Sequence, residues 1–117
     1  MIVAIPNKGR LSEPSVELLR EAGIRIENIE RRLIVPTNNP NINVLFARAK
    51  DIPNYVSNRS ADVGITGYDM VVESNAEVEI LLKLGFGKAR LVIAVPVDSE
   101  IRSIEDLDGK RVATEFK

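Results

Sequence analysis

Two residue types with wide catalytic use are missing from this 117-residue chain: it has no cysteine and no histidine. Without cysteine there is no disulfide, thiolate zinc site, iron–sulfur cluster or thiol nucleophile. Without histidine there is no Ser-His-Asp triad, no imidazole metal ligand and no general base poised near neutrality. Tryptophan is absent as well, and aromatics make up only 4% of the residues, a thin supply for stacking nucleic-acid bases. An excess of one charge is lacking too. The 16 Lys and Arg nearly balance 17 Asp and Glu, where a binder of duplex DNA carries a basic surplus, so no nucleic-acid partner is expected. Nor is there a long apolar run. Met1-Ile2-Val3-Ala4-Ile5 stops at Pro6, too short for a signal peptide or for a membrane span of about 20 residues. The expectation is a soluble, cytoplasmic protein without a membrane partner, whose chemistry rests on carboxylates, Lys, Arg, hydroxyls and backbone.

What is present is a pattern. Short apolar runs at 2–5, 33–35, 44–46, 63–65, 80–82, 91–95 and 112–113 are rich in Val and Ile, as strands buried on both faces are. Amphipathic stretches lie between them. Ser12-Glu13-Pro14 places a capping hydroxyl before an acid and a proline, Val16, Leu19 and Ala22 mark one face, and Gly23 supplies a stop. Asp51-Ile52-Pro53 repeats the device, with Ile52, Tyr55 and Val56 as the apolar face and Asp51 read as an N-cap. A third helix is expected after Gly67 through Met70 and Val71, and a short fourth over 104–107, ending at Asp108-Gly109. The alternation predicts an α/β fold with a largely parallel sheet. We divide it into a first α/β domain at 1–89 and the incomplete start of a second at 90–117.

The chemistry gathers at strand ends. In Pro6-Asn7-Lys8-Gly9-Arg10-Leu11-Ser12 a strand runs through a basic loop into a helix, the place where open α/β sheets hold ligands. The helix start favours anions, and Lys8 and Arg10 add full charges. A solvated basic turn is the plainer alternative. Arg48 follows the strand at 44–46, and Arg31-Arg32 precedes the one at 33–35, where paired arginines are commonly surface charge. At Thr66-Gly67-Tyr68-Asp69, Gly67 permits close backbone approach and Thr66 can donate, although a tight turn explains the spacing as well. Gly85-Phe86-Gly87-Lys88 lacks the spacing of a triphosphate-binding loop and suits a hinge. If the strands are parallel, Lys8, Arg10 and Arg48 converge on one sheet edge fit for a ligand with several phosphates or a pyrophosphate.

Lys8-Gly9-Arg10-Leu11-Ser12-Glu13-Pro14, Arg48-Ala49-Lys50-Asp51-Ile52-Pro53 and the run from Ala61 to Asp69 closely resemble ATP phosphoribosyltransferase. So do Leu84-Gly85-Phe86-Gly87-Lys88 and the run from Gly109 to Phe116, and the blocks together cover essentially the whole chain. The resemblance implies the first step of histidine biosynthesis. Adenine N1 of ATP attacks the anomeric carbon of phosphoribosyl pyrophosphate, giving phosphoribosyl-ATP and pyrophosphate, with Mg2+ accompanying the pyrophosphate. It implies two domains resembling periplasmic binding proteins, with the site in the cleft between them. Carried over by motif, Arg10 and Arg31 stabilise the leaving pyrophosphate. Lys8, Gly9, Arg48, Thr66, Gly67, Asp69 and Glu115 bind substrate, and no residue is assigned to a metal. A homo-oligomer is implied, and in the family's short form a regulatory partner resembling histidyl-tRNA synthetase. These residues do not include the family's later acidic, hydroxyl- and glycine-rich loop that grips the ribose 5-phosphate. A non-enzymatic small-molecule-binding module of periplasmic-binding-protein type, or an inactive fragment, is the alternative. The basic loop at Lys8 and Arg10 argues against a neutral-solute binder.

Overall fold

The computed structural model describes residues 1–26, 33–88 and 92–114. Contacts divide the chain into two compact units, Met1–Gly87 and Lys88–Lys117. In the first, strands β1 (Ile2–Pro6), β2 (Ile34–Pro36), β3 (Asn43–Ala47) and β4 (Val63–Gly64) form a four-stranded sheet of order β2-β3-β1-β4. The most apolar run takes the central place. Strand β1 pairs in parallel with β3 and with β4, from Ile2 opposite Asn43 to Pro6 opposite Ala47 on one side and Val3 opposite Val63 on the other. Helices α1 (Ser12–Glu21), α2 (Ile52–Ser57) and α3 (Tyr68–Ser74) follow β1, β3 and β4 in turn. The mixed α/β class expected from the alternation is the class observed.

Side chains of a strand alternate between faces, so β1 serves two cores. Val3 and Ile5 cluster with Val44 and with Leu19 of α1. Ala4 points the other way, to Leu45, Ala47, Ala61 and Ile52 of α2, with Tyr55 and Val56 packed against them. Helices α1 and α2 therefore cover opposite faces of the sheet, and α3 packs beside α2. Burying a side chain such as Ile5 contributes roughly 1.5–3 kcal/mol. Gly64 admits α2 to the sheet: a Cβ there would stand 2.5 Å from Ile52 Cγ2 and 3.1 Å from Val56 Cγ2. We predict that Gly64→Ala destabilises the unit by about 1–3 kcal/mol, through overpacking. A thermal unfolding midpoint equal to that of the parent chain would refute this close approach.

Several local expectations are corrected. Ser12 is the first helical residue of α1 and not its cap; Leu11 takes the cap position, with no side-chain cap hydrogen bond. Ala22, assigned to the apolar face, is exposed, while Ser15 is fully buried and donates its hydroxyl to Leu11 O at 2.6 Å. A hydroxyl can be buried there because its proton has that carbonyl to meet. Gly23 does end the helix, with φ at +88° and its N–H on Arg20 O. Strand β2 is an antiparallel edge with only Val35 buried, not a strand covered on both faces. The runs at 80–82, 92–95 and 112–113 form no strand, and Leu81, Leu82, Val92, Ile93 and Val112 are exposed. A strand needs a hydrogen-bonded neighbour, and among the described residues these runs have none.

In the second unit the expected short helix is a 3-10 turn, Ile104–Leu107, before Gly109 at φ +77°. Asp106 Oδ2 accepts Arg102 N–H at 2.9 Å and Ser103 N–H at 3.2 Å. Those bonds, Arg102's foremost, hold its carboxyl below the ordinary value of 3.8. A depressed carboxylate contributes order above its unfolded pKa and loses it as pH falls through the folded one. We therefore predict that acidification below the ordinary aspartate range loosens this turn. Faster exchange of the Arg102 and Ser103 amides would report the loss, and unchanged protection there would refute it.

Candidate functional site: a cationic sheet edge

The sheet's carboxyl edge is built by the directions in which its loops leave. After β1 the chain turns to α1 on one face; after β3 it turns to α2 on the other. Neighbouring parallel strands whose connections part in this way leave a crevice between their carboxyl ends, the usual ligand position in open α/β sheets. The last rung is Asn7 N–H to Ala47 O at 2.9 Å, so Lys8 and Arg48 begin to diverge from adjacent points.

One wall is the loop 7–10, in which Asn7, Lys8, Gly9 and Arg10 are all exposed. Gly9 sits at φ +83°, a left-handed conformation that only glycine adopts without strain, and a Cβ built on it would meet nothing within 4 Å. The requirement there is conformational, and the space above the loop is open. Ser12 N–H closes the turn onto Gly9 O at 3.2 Å. Lys8 and Arg10 make no hydrogen bond or ion pair among the described residues, and the partial positive end of α1 follows directly after them.

The opposite wall joins the loops after β3 and β4. Those strands flank β1, yet Thr66 Oγ1 donates to Ala49 O at 2.6 Å, so the two loops meet across the end of the central strand. The hydroxyl proton of Thr66 is thus spent on the scaffold. Arg48 leads this wall; its Nε donates to Asp51 Oδ2 at 2.8 Å and the residue stays exposed. Gly67 accepts Met70 and Val71 N–H at the start of α3. Its φ is −72°, open to any residue, and the nearest atom to a Cβ built there is Oδ1 of the exposed Asp69, a side-chain tip free to move aside. Asp69 is exposed and accepts Met70 N–H at 2.9 Å. Tyr68 beside it is exposed, with Lys83 Nζ 5.7 Å from its ring centroid.

Lys8, Gly9, Arg10, Arg48, Thr66, Gly67 and Asp69 are therefore gathered at the carboxyl ends of three neighbouring strands. Arg31 and Glu115 lie outside the described residues. Sequence reasoning missed Asp51's pairing with Arg48, for which the opposite charges at i, i+3 were the available signal. Gly87 comes from the stretch read as a hinge; at φ +73° it lies so close to Leu11 that a Cβ would collide with Leu11 Cδ2. Among the described residues no group of three or more acidic side chains is placed to hold a metal ion.

An α/β sheet with exposed cations in the loops at its carboxyl edge is the architecture observed, and in open sheets of this class that edge is where small ligands are held. Comparison with known proteins is more specific. The sequence model of the ATP phosphoribosyltransferase family matches residues 48–117, and the chain belongs to that family. An ATP phosphoribosyltransferase of Methanopyrus kandleri is 57% identical over 115 residues, covering 97% of this chain and 41% of that protein. The enzyme of Methanococcoides burtonii is 55% identical over 115 residues, covering 97% and 40%. The chain thus spans about 40% of the length of the curated relatives it matches. Among solved structures, the ATP phosphoribosyl transferase (HisG:HisZ) complex from Thermotoga maritima shares the fold. Its TM-score is 0.62 at 24% identity, over 74% of this chain and 41% of that one.

Proposed function

We propose that the full-length protein is an ATP phosphoribosyltransferase that joins adenine N1 of ATP to the anomeric carbon of phosphoribosyl pyrophosphate. Pyrophosphate leaves and phosphoribosyl-ATP forms, the first step of histidine biosynthesis. The observation that supports this most is family membership, together with the cations of the β1 loop, which make no ion pair among the described residues, and Arg48 at the carboxyl end of the neighbouring strand β3. The reaction suits a chain without histidine. The adenine nitrogen is already a nucleophile, so rate comes from holding two substrates in line and neutralising the departing diphosphate, with little proton transfer. In this reading Arg10 and Arg31 meet the charge that develops on pyrophosphate. Lys8, Gly9 and Arg48 bind phosphate oxygens, while Thr66, Gly67, Asp69 and Glu115 shape the substrate side. Magnesium would accompany the diphosphate and would supply positive charge to it, and among the described residues no group of three or more acidic side chains is placed to hold it.

The remainder of the reading concerns the whole enzyme. Residues 1–89 form the first domain of a periplasmic-binding-protein-like pair, and 90–117 begin the second. The cytoplasm, where nucleotides are consumed, is its compartment. We expect a homo-oligomer, and in a short-form enzyme a regulatory subunit of the kind resembling histidyl-tRNA synthetase. The test is to incubate the full-length protein with ATP, phosphoribosyl pyrophosphate and Mg2+ and to follow phosphoribosyl-ATP by mass spectrometry. Stoichiometric phosphoribosyl-ATP and pyrophosphate are expected; folded protein that leaves both substrates intact overturns the proposal.

A further inference from the structure

Asp51 stands where the sequence puts a helix cap, yet its carboxylate caps nothing. Its backbone is already helical, with φ at −90° and ψ at −20°, and no side-chain hydrogen bond closes the start of α2. Oδ2 instead accepts Arg48 Nε–H at 2.8 Å. A side-chain cap contributes at least as much stability as an exposed ion pair, so stability does not explain the exchange. Orientation does. Nε is the inner donor of the guanidinium; once it is held, a long and otherwise free side chain is restrained. The terminal nitrogens, which make no hydrogen bond among the described residues, then remain as a planar fork matched to phosphate oxygens. The backbone beneath is held as well, since Ala49 O receives Thr66 Oγ1–H.

We propose that Asp51 is a positioning residue: it grips Arg48 by Nε so that the outer fork of the guanidinium meets a diphosphate in the crevice between β1 and β3. This rests on the reading of that edge as the diphosphate site. The sign of one substitution separates it from simple electrostatics. Asp51 is an anion beside an anion site, so by Coulomb's law alone its removal tightens binding. Positioning requires the reverse.

The experiment titrates the 117-residue chain with inorganic pyrophosphate by calorimetry, with amide NMR spectra verifying each fold. Asp51→Ala is expected to weaken binding by about fivefold or more, as for a coupled pair. Asp51→Asn keeps an oxygen for Nε–H and should stay within about twofold of the parent, a rescue that charge alone does not give. In an Arg48→Ala background, Asp51→Ala should weaken nothing further. Unchanged or tighter binding by folded Asp51→Ala overturns the proposal, and does so alone if Arg48→Ala still weakens binding. A folded parent chain that binds no pyrophosphate overturns the site reading and this proposal with it. Should Asp51→Ala fail to fold, the Arg48 Nε–H resonance of the parent chain decides. Slow solvent exchange that persists while the terminal nitrogens shift with pyrophosphate supports the grip; a freely exchanging Nε–H overturns it.

Discussion

If the full-length protein carries the proposed activity, Arg10→Ala is expected to lower its turnover by at least about tenfold, a transition-state loss of about 1.4 kcal/mol. Arg10 lies in an exposed loop and makes no hydrogen bond among the described residues, so the substitution should change stability by no more than about 0.5 kcal/mol. Its effect must then be felt in the reaction. A guanidinium that meets diphosphate only as charge accumulates on the leaving oxygen lowers kcat and kcat/KM together; one that binds the ground state equally well raises KM alone. Our assignment is the first. Arg10→Lys should recover part of the loss, because charge is kept while the planar fork is not. Steady-state kinetics with both substrates varied make the distinction. Unchanged constants in a folded variant would remove Arg10 from the site.

The largest expected effect on stability belongs to Ile52→Ala. Ile52 is only 1% exposed, at the first position of α2, and clusters with Ala4, Leu45, Ala47 and Ala61. Truncating such a side chain removes its transfer free energy and leaves a cavity, costing about 2–5 kcal/mol. Against a total stability of about 5–15 kcal/mol, much of a small unit's margin would be gone. The consequence reaches the site. Asp51 and Arg48 precede this anchor in the loop that leads into α2, so loosening α2 frees the Arg48–Asp51 pair. Urea unfolding should show a lower midpoint with an unchanged slope, whereas Asn54→Ala on the exposed side of α2 should move it little. A loss below about 1 kcal/mol for Ile52→Ala would mean that α2 is not seated on the sheet as described.

Much of the arrangement was legible before any coordinates. Residues 2–5 read as a buried strand because Ile, Val and Ala continue without polar alternation, and that run became the central strand. Gly23 and Pro53 marked helix boundaries, since each restricts the backbone locally whatever surrounds it. The basic loop was legible too, as Lys8 and Arg10 bracket a glycine between a strand and a helix. The antiparallel course of β2 could have been read: residues 37–42 are too few for a parallel crossover, which needs a dozen or more.

Other features depended on contacts distant in sequence. The apolar runs at 80–82, 92–95 and 112–113 have strand composition, but composition supplies no hydrogen-bonding neighbour, and among the described residues they have none. Ser12 and Ser15 have similar local propensities; the packing of α1 on β1 and β3 buried the second and left the first uncapping. Gly64 looks like any strand glycine until Ile52 and Val56 are seen against it. Thr66 could have faced a ligand or the scaffold, and only strand order brings Ala49 O within its reach.

The sequence by itself determined the alternation of strand and helix, the positions of the cations at strand ends and the lack of imidazole and thiol groups in these 117 residues. Those follow from local backbone preference and residue type. The tertiary structure decided which strand ends are neighbours, which way each loop departs, and that Asp51 grips Arg48 and leaves α2 uncapped. Such choices are settled by pairing and packing between residues far apart in the chain, which no local pattern encodes.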